Sequence, residues 1–292
     1  EQQLNLATNR MDALNDNFLM ATVLTYLGDL DFARENYSGA SELYRRAART
    51  AEQVGNQRAE AFALAGIGST MIALESSATL EIQENLEGGL ALIRSILDQE
   101  GEFRILMRLA EAEIMRAEYT AANNYLSAAR RVAASIGDRR GGAFATLRLA
   151  YVYSLDPNDP LAITATRTYT EAVQAFRAIP DPAGEGLSLE GLGELALRRS
   201  QFPDAINYFT QMQIAFENAG DPVGKATALT RLGVTYREQQ RTELAFLMFT
   251  EAQNVLATEI NFSDDLHDTR RETIVRGELR RAVGDYQRIQ RQ

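Results

Sequence analysis

Residues 27–47 read LGDLDFARENYSGASELYRRA, and residues 232–252 read LGVTYREQQRTELAFLMFTEA. In both, a Leu-Gly pair is followed at the same offsets by Ala40 or Ala245, then Tyr44 or Phe249, then Ala47 or Ala252. With the Leu-Gly pair set at positions 7 and 8, units start at Ala21, Ala61, Phe103, Ala143, Gly186 and Ala226, at intervals of 40 to 43 residues. Self-similarity at a period of a few tens of residues marks a structural unit stacked on itself.

Position 8 holds Gly28, Gly68, Ala110, Ala150, Gly193 and Gly233. A small residue there lets a second helix approach the first closely. Position 20 is also small: Ala40, Ala122, Ala165, Ala205 and Ala245. Position 24 is large: Tyr44, Leu126, Tyr169, Phe209 and Phe249. Position 27 is Ala47, Ala129, Ala172, Met212 and Ala252. This spacing puts positions 20, 24 and 27 on one helical face. Small residues facing large ones let two helices interdigitate at native density.

The breaks between helices are also legible. Tyr37, Tyr119 and Phe202 stand three residues before the position-20 Ala and start second helices, with Pro203 in a first turn that needs no N–H donor. Gly55-Asn56, Gly137-Asp138 and Gly220-Asp221 end each unit, with Pro180-Asp181 at the fourth equivalent. Glycine adopts the left-handed cap without strain, and the Asp or Asn after it caps the next helix. Each unit reads as helix, turn, helix, turn.

These residues resemble the tetratricopeptide repeat in its longer form of about 40 residues. The resemblance covers essentially the whole chain and rests on six units in register: 21–60, 61–102, 103–142, 143–185, 186–225 and 226–269. It implies an all-α solenoid, a right-handed superhelix of antiparallel helix pairs, running as one array over 1–292. Some elements depart from the pattern. Position 11 is Tyr only at Tyr153 and Tyr236. The 61–102 unit fits only with about nine inserted residues, which puts Gly89, Ile93 and Ile96 at positions 20, 24 and 27. The 143–185 unit carries three extra residues around Pro157 and Pro160. Partial repeats are expected at 1–20, where Leu4 and Ala7 fall on positions 24 and 27, and at 270–292, where Gly277 falls on position 8. Both ends then cut through a repeat, so a longer array or a larger protein is expected, the alternative being that the terminal half-repeats serve as caps.

Composition narrows the function classes. No apolar run is long enough for a membrane span, and no charged start with an apolar core marks a signal peptide. A net charge of −10 argues against general nucleic-acid binding. Lys225 is the only Lys among 30 basic residues, a bias that follows from base composition or from use of bidentate Arg contacts. Cysteine is absent, which removes disulfides and thiol chemistry. With Glu1 in first place, the bacterial cytoplasm and an exported location both stay open.

Several motifs are set aside. Gly191-Leu-Gly193-Glu-Leu-Ala196 matches a dinucleotide fingerprint but sits inside a repeat helix without a preceding strand. The stretch from Gly220 to Ala226 is one residue short of a phosphate loop and lacks its Ser/Thr. His267 is the single histidine and stands near Asp264, Asp265 and Asp268, with no His partner for zinc or nucleophile chemistry. Asn36-Tyr-Ser38 and Asn261-Phe-Ser263 are glycosylation triplets that matter only in a secretory setting. No enzyme, cofactor or metal is expected.

In tetratricopeptide arrays the first helices line a concave groove, and the resemblance implies ligand contacts at positions 2, 5, 6, 9, 12 and 13. In this register Phe62, Met107, Phe144, Leu147 and Tyr151 form an apolar patch, with Arg104, Arg108 and Arg148 beside it and Arg231 further along. Aromatic residues, Met and Arg are enriched in interface cores. The expected partner is a protein or peptide with apolar anchors and acidic groups. The Lys and Asn of chaperone-tail clamps are missing at the matching positions. Two alternatives are a sensor region attached to an effector domain outside this chain, and self-association through the solenoid ends.

Overall fold

A computed structural model describes residues 16–74, 79–155, 162–258, 275–277 and 279–280. Among them are twelve long helices and no strand: α1 (Asn17–Ala33), α2 (Tyr37–Val54), α3 (Gln57–Ala73), α4 (Thr79–Ser95), α5 (Gln99–Met115), α6 (Tyr119–Ser135), α7 (Arg139–Ser154), α8 (Ile163–Ala178), α9 (Pro182–Arg198), α10 (Phe202–Ala219), α11 (Pro222–Glu238) and α12 (Thr242–Thr258). The chain is all-α, built of helix hairpins of the tetratricopeptide type. It divides into two compact units, Glu1–Ala145 and Thr146–Gln292, with the division inside α7.

In the first unit α1 packs on α2, α3 on α4 and α5 on α6. Consecutive hairpins join through α2 on α3 and α4 on α5. The first helices α1, α3 and α5 also touch side by side, whereas α2, α4 and α6 make no comparable contact among the described residues. The first helices are therefore the closely spaced layer. The second unit repeats the arrangement, with hairpins α9–α10 and α11–α12 joined through α10 on α11, α8 packed on α9, and α9 beside α11.

The expected core positions are buried throughout. Tyr44, Leu126, Tyr169, Phe209 and Phe249 at position 24 are all almost fully inaccessible, as are the alanines at positions 20 and 27. The small position 8 is required by geometry. A Cβ at Gly28 would stand 2.7 Å from the Tyr44 ring, and one at Gly193 or Gly233 would stand 2.4 Å from Phe209 or Phe249.

One register differs from expectation. In α4 the residue facing Gly68 is Leu86, to which a Cβ would come within 2.5 Å. Leu86 is thus position 24, Ile82 is position 20 and Gly89 is position 27, and the 61–102 unit carries two inserted residues instead of nine. The mistaken alignment was slipped by seven residues. Seven residues is nearly two helical turns, so the slipped set lies on the same face of α4. The usual Ala at position 20 is Ile82 here, which removed the marker that anchors the other units.

The caps match the turn residues. Gly55, Gly137 and Gly220 are left-handed, with φ of 70°, 73° and 65°. The side chains of Asn36, Asn56, Asp98, Asp138, Asp181 and Asp221 each accept from the backbone N–H three residues on. These caps explain the stretch that mimicked a phosphate loop. Gly220 ends α10, Asp221 caps α11 through Gly224 N–H at 2.8 Å, and Lys225 pairs with Glu217 at 3.3 Å. The dinucleotide-like glycines are also packing features. Gly191 lies against Tyr169 of the preceding hairpin, and Gly193 lies against Phe209 of its own.

Val275 and Leu279 are buried against the α12 residues Val255 and Leu256. Gly277, expected at position 8, has no side chain within 4 Å of where its Cβ would be. Leu4, Ala7, Pro157, Pro160, His267 and Asn261 lie outside the described residues, as do 1–15, 270–274, 278 and 281–292 of the expected terminal half-repeats.

Adjacent glycines in α4 give a test of which face packs on α3. A Cβ on Gly89 would meet the Ala61 carbonyl oxygen at 2.6 Å, and backbone cannot move aside. A Cβ on Gly88 meets only Leu64 at 3.9 Å. Gly89→Ala should destabilise by about 1–3 kcal/mol through overpacking. Gly88→Ala should stabilise by about 0.5–1 kcal/mol through helix propensity. Thermal melts of the two variants should shift in opposite directions.

Candidate functional site

The first-helix layer of the first unit carries a compact polar network. The Tyr44 hydroxyl donates to Asp29 Oδ1 at 2.6 Å. Arg108 Nη2 donates to the same oxygen at 2.5 Å, and its Nη1 lies 3.5 Å from the Phe62 carbonyl oxygen. Arg104 approaches the other Asp29 oxygen only to 4.0 Å. Asp29 is on α1 and Arg108 is on α5, two hairpins away, so the pair spans the intervening helix α3.

Chain packing places each group. Tyr44 reaches the network because neither Gly28 nor Gly66 has a side chain in its way, each lying where a Cβ would strike the ring. Burial drives the Tyr44 hydroxyl well above the usual phenol range, with Arg108 opposing and Asp29 reinforcing. Burial also works against the Arg108 charge, but Tyr44 and Asp29 outweigh it and raise its pKa.

Beside the network is a pocket of about 250 Å³ between α1, α3 and α5. Phe18, Tyr26 and Phe62 give it an apolar wall, and its charged lining residues are Asp29, Arg58 and Arg104. Phe18 is 53% exposed and Tyr26 is 44% exposed. The Arg104 guanidinium lies over the Phe62 ring at 4.6 Å and Arg58 at 5.7 Å, within cation–π range. Arg58 is held by Asp98 at 2.6 Å.

These contacts revise the expected apolar patch. Phe62 is only 8% exposed, so it is a platform for two guanidinium groups and not an open anchor. Arg108 is committed to Asp29 and Tyr44. Met107 is partly buried against the core of the first unit. Phe144 is half-buried under Arg140, whose guanidinium lies 4.9 Å from the ring centre. In the second unit Leu147 packs partly on the core, while Arg148 and Tyr151 are exposed. Arg231 Nε stands 3.0 Å from Glu194 Oε1 and 3.9 Å from Glu190 Oε1. The structure thus brings Phe62, Arg104 and Arg108 together and sets Arg231 between two carboxylates of its own unit. Sequence reasoning missed Phe18, Tyr26, Asp29 and Arg58 as parts of the site. One signal was present: Tyr26 occupies position 6, where all the other units have Gly or Arg.

A second cavity of about 230 Å³ lies among α4, α5 and α6, with Glu87, Glu113, Glu118 and Tyr125 in its lining. Glu113 is buried and its pKa is raised by that burial, while Arg116 offsets this with Nη1 at 3.2 Å from both carboxylate oxygens. Among the described residues no group of three His, Cys, Asp or Glu side chains is placed to hold a metal ion. Nor is any described helix long and apolar enough to cross a membrane.

No family model and no curated protein matches the chain. Solved structures are similar in fold. BtubC (BKLC) from P. vanneervenii aligns at 15% identity and TM-score 0.60, covering 82% of this chain and 95% of that one. The apo form of RapI aligns at 15% identity and TM-score 0.62, covering 93% of this chain and 99% of that one. A signal transduction ATPase with numerous domains (STAND) from Pyrococcus horikoshii, described as having a tetratricopeptide repeat sensor, aligns at 15% identity and TM-score 0.63. That alignment covers 84% of this chain and 38% of the ATPase. At this identity the likeness establishes the helical-repeat fold of the tetratricopeptide type.

The buried phenols make stability fall in alkali. An unfolded Tyr ionises near pH 10, whereas Tyr44 in the folded chain stays protonated well above that. Folded protein then binds the extra proton, so the Tyr44 contribution is complete below pH 10 and is lost as pH rises beyond it. Tyr169, pushed up to about 12 by burial, acts in the same sense. Tyr44→Phe should cost about 1 kcal/mol at pH 8 through the lost Asp29 hydrogen bond. Above pH 10 its stability should decline less steeply than that of the wild type in denaturant titrations.

Proposed function

We propose that the chain is a protein-interaction module whose first-helix faces capture a segment of a partner protein. The observation that carries this reading is the pocket of the first unit, where exposed Phe18 and Tyr26 stand beside Arg104 stacked on Phe62. Aromatic side chains and arginine supply most of the energy at interface centres. The repeat core has no part in this: its large residues are spent on helix packing. The second unit has exposed residues of the same types, Tyr151 and Arg148.

The sensor reading is the second candidate. It draws on the likeness to the STAND ATPase, whose repeat region is described as a sensor. In that role the same face would bind a signal and pass its occupancy to an effector domain.

Affinity capture with Arg104→Glu, Arg148→Glu and wild-type baits tests the module. Arg104→Glu should weaken retention of a partner by about tenfold or more, as a like charge replaces a charge-assisted contact. Arg108 is unsuitable for this purpose, because a Glu there would face Asp29 and disturb the fold. Equal retention by all three baits would sink the proposal.

A further inference from the structure

We propose that the pocket of the first unit takes an aromatic or large apolar side chain together with a carboxylate, from an acidic segment of the partner, with Arg104 as the recognising cation. The inference rests on the interaction-module reading and adds the chemistry of the partner.

The charges around the pocket point to one more anion. Arg58, Arg104 and Arg108 stand against two carboxylates, Asp98 and Asp29. Asp98 holds Arg58 at 2.6 Å, and Asp29 spends one oxygen on both Arg108 and Tyr44. Arg104 is left with a single ion pair at 4.0 Å and no hydrogen bond among the described residues. Its guanidinium carbon lies 4.6 Å from the Phe62 ring centre, a cation–π contact that restrains the group without using its N–H donors. A planar fork with open donors matches a carboxylate in bidentate geometry. Ordering that group before binding also lowers the entropic cost of the contact.

The apolar half of the ligand follows from the wall. Phe18 and Tyr26 expose about half of their surface, and Phe62 closes the floor. A cavity of about 250 Å³ suits one aromatic or large aliphatic side chain. Asp29 sets the threshold. Its second oxygen pairs with Arg104 only at 4.0 Å and repels an incoming carboxylate, while Oδ1 keeps Arg108 and Tyr44 in place.

The probe is 4-phenylbutyrate, compared with its neutral amide, by calorimetry and ligand-detected NMR on the whole chain. The acid should bind about fivefold tighter than the amide, the difference between a charged and a neutral hydrogen-bond pairing. Arg104→Gln should abolish that preference while leaving weaker binding of both probes through the apolar wall. Tyr26→Ser, at an exposed position, should weaken both probes alike. Equal binding of acid and amide, binding of neither, or a preference that survives Arg104→Gln would overturn the inference. Probe binding needs no partner, so it separates from the capture assay. A pocket that selects the acid while all baits retain partners equally sinks only the module reading. A partner lost on Arg104→Glu with no acid preference sinks only the pocket chemistry.

Discussion

Four of the hairpins depend on one steric constraint: a large side chain on the second helix occupies space that a Cβ on the first helix would need. The clearances are 2.4–2.7 Å at Gly28, Gly68, Gly193 and Gly233, below what real Cβ contacts allow. Where position 8 is Ala110 or Ala150, the large residue is accommodated differently. Leu126 is shorter than an aromatic ring, and Tyr169 turns toward Gly191 of the following hairpin. The depth of helix approach is thus set residue by residue, and burial of the aromatic rings supplies the stabilisation.

This constraint reaches the surface through position 6. Within each unit, a Tyr at position 24 is followed by Gly at position 6 of the next hairpin, as with Tyr44 and Gly66 or Tyr169 and Gly191. A Leu or Phe is followed by Arg, as with Leu86 and Arg108 or Phe209 and Arg231. Tyr44 shows why. A Cβ on Gly66 would lie 2.5 Å from its ring, and the hydroxyl continues past the helix layer to Asp29. The choice made in the core decides whether the first-helix face carries bare backbone or a guanidinium. Bare backbone at Gly66 leaves α3 low at that point, and Arg108 spans it to reach Asp29.

The fold was legible because packing positions repeat and the site was not because its residues do not. Gly28, Ala40 and Tyr44 recur in kind in almost every unit, so six weak matches reinforce one another. The α4 register slipped where Ile82 replaced the usual Ala, and a helical period near 3.5 hides such a slip. The site is a different problem. Asp29, Tyr44, Phe62 and Arg108 come from three hairpins, and their meeting depends on which side chains are missing between them. Register placed Phe62 and Arg104 on the inner face but could not tell an open ring from one covered by guanidinium groups. The caps at Asn56 and Asp221 were readable because their partners lie three residues away.

The near absence of lysine takes on a physical use at this face. An ammonium group is a compact, strongly hydrated point charge and does not lie flat on a ring. Arg104 and Arg58 lie over the same Phe62, with Asp98 at 2.6 Å from Arg58 and Asp29 at 4.0 Å from Arg104. Arg108 is buried by the same packing that lets Tyr44 reach Asp29, and there a group that stays charged is needed. Lys at position 58 or 104 would lose the planar stacking, and Lys at position 108 would lose the two-pronged bridge to Asp29 and the Phe62 carbonyl. The net charge of −10 therefore says little about the pocket of the first unit, where Arg58, Arg104 and Arg108 stand against Asp98 and Asp29.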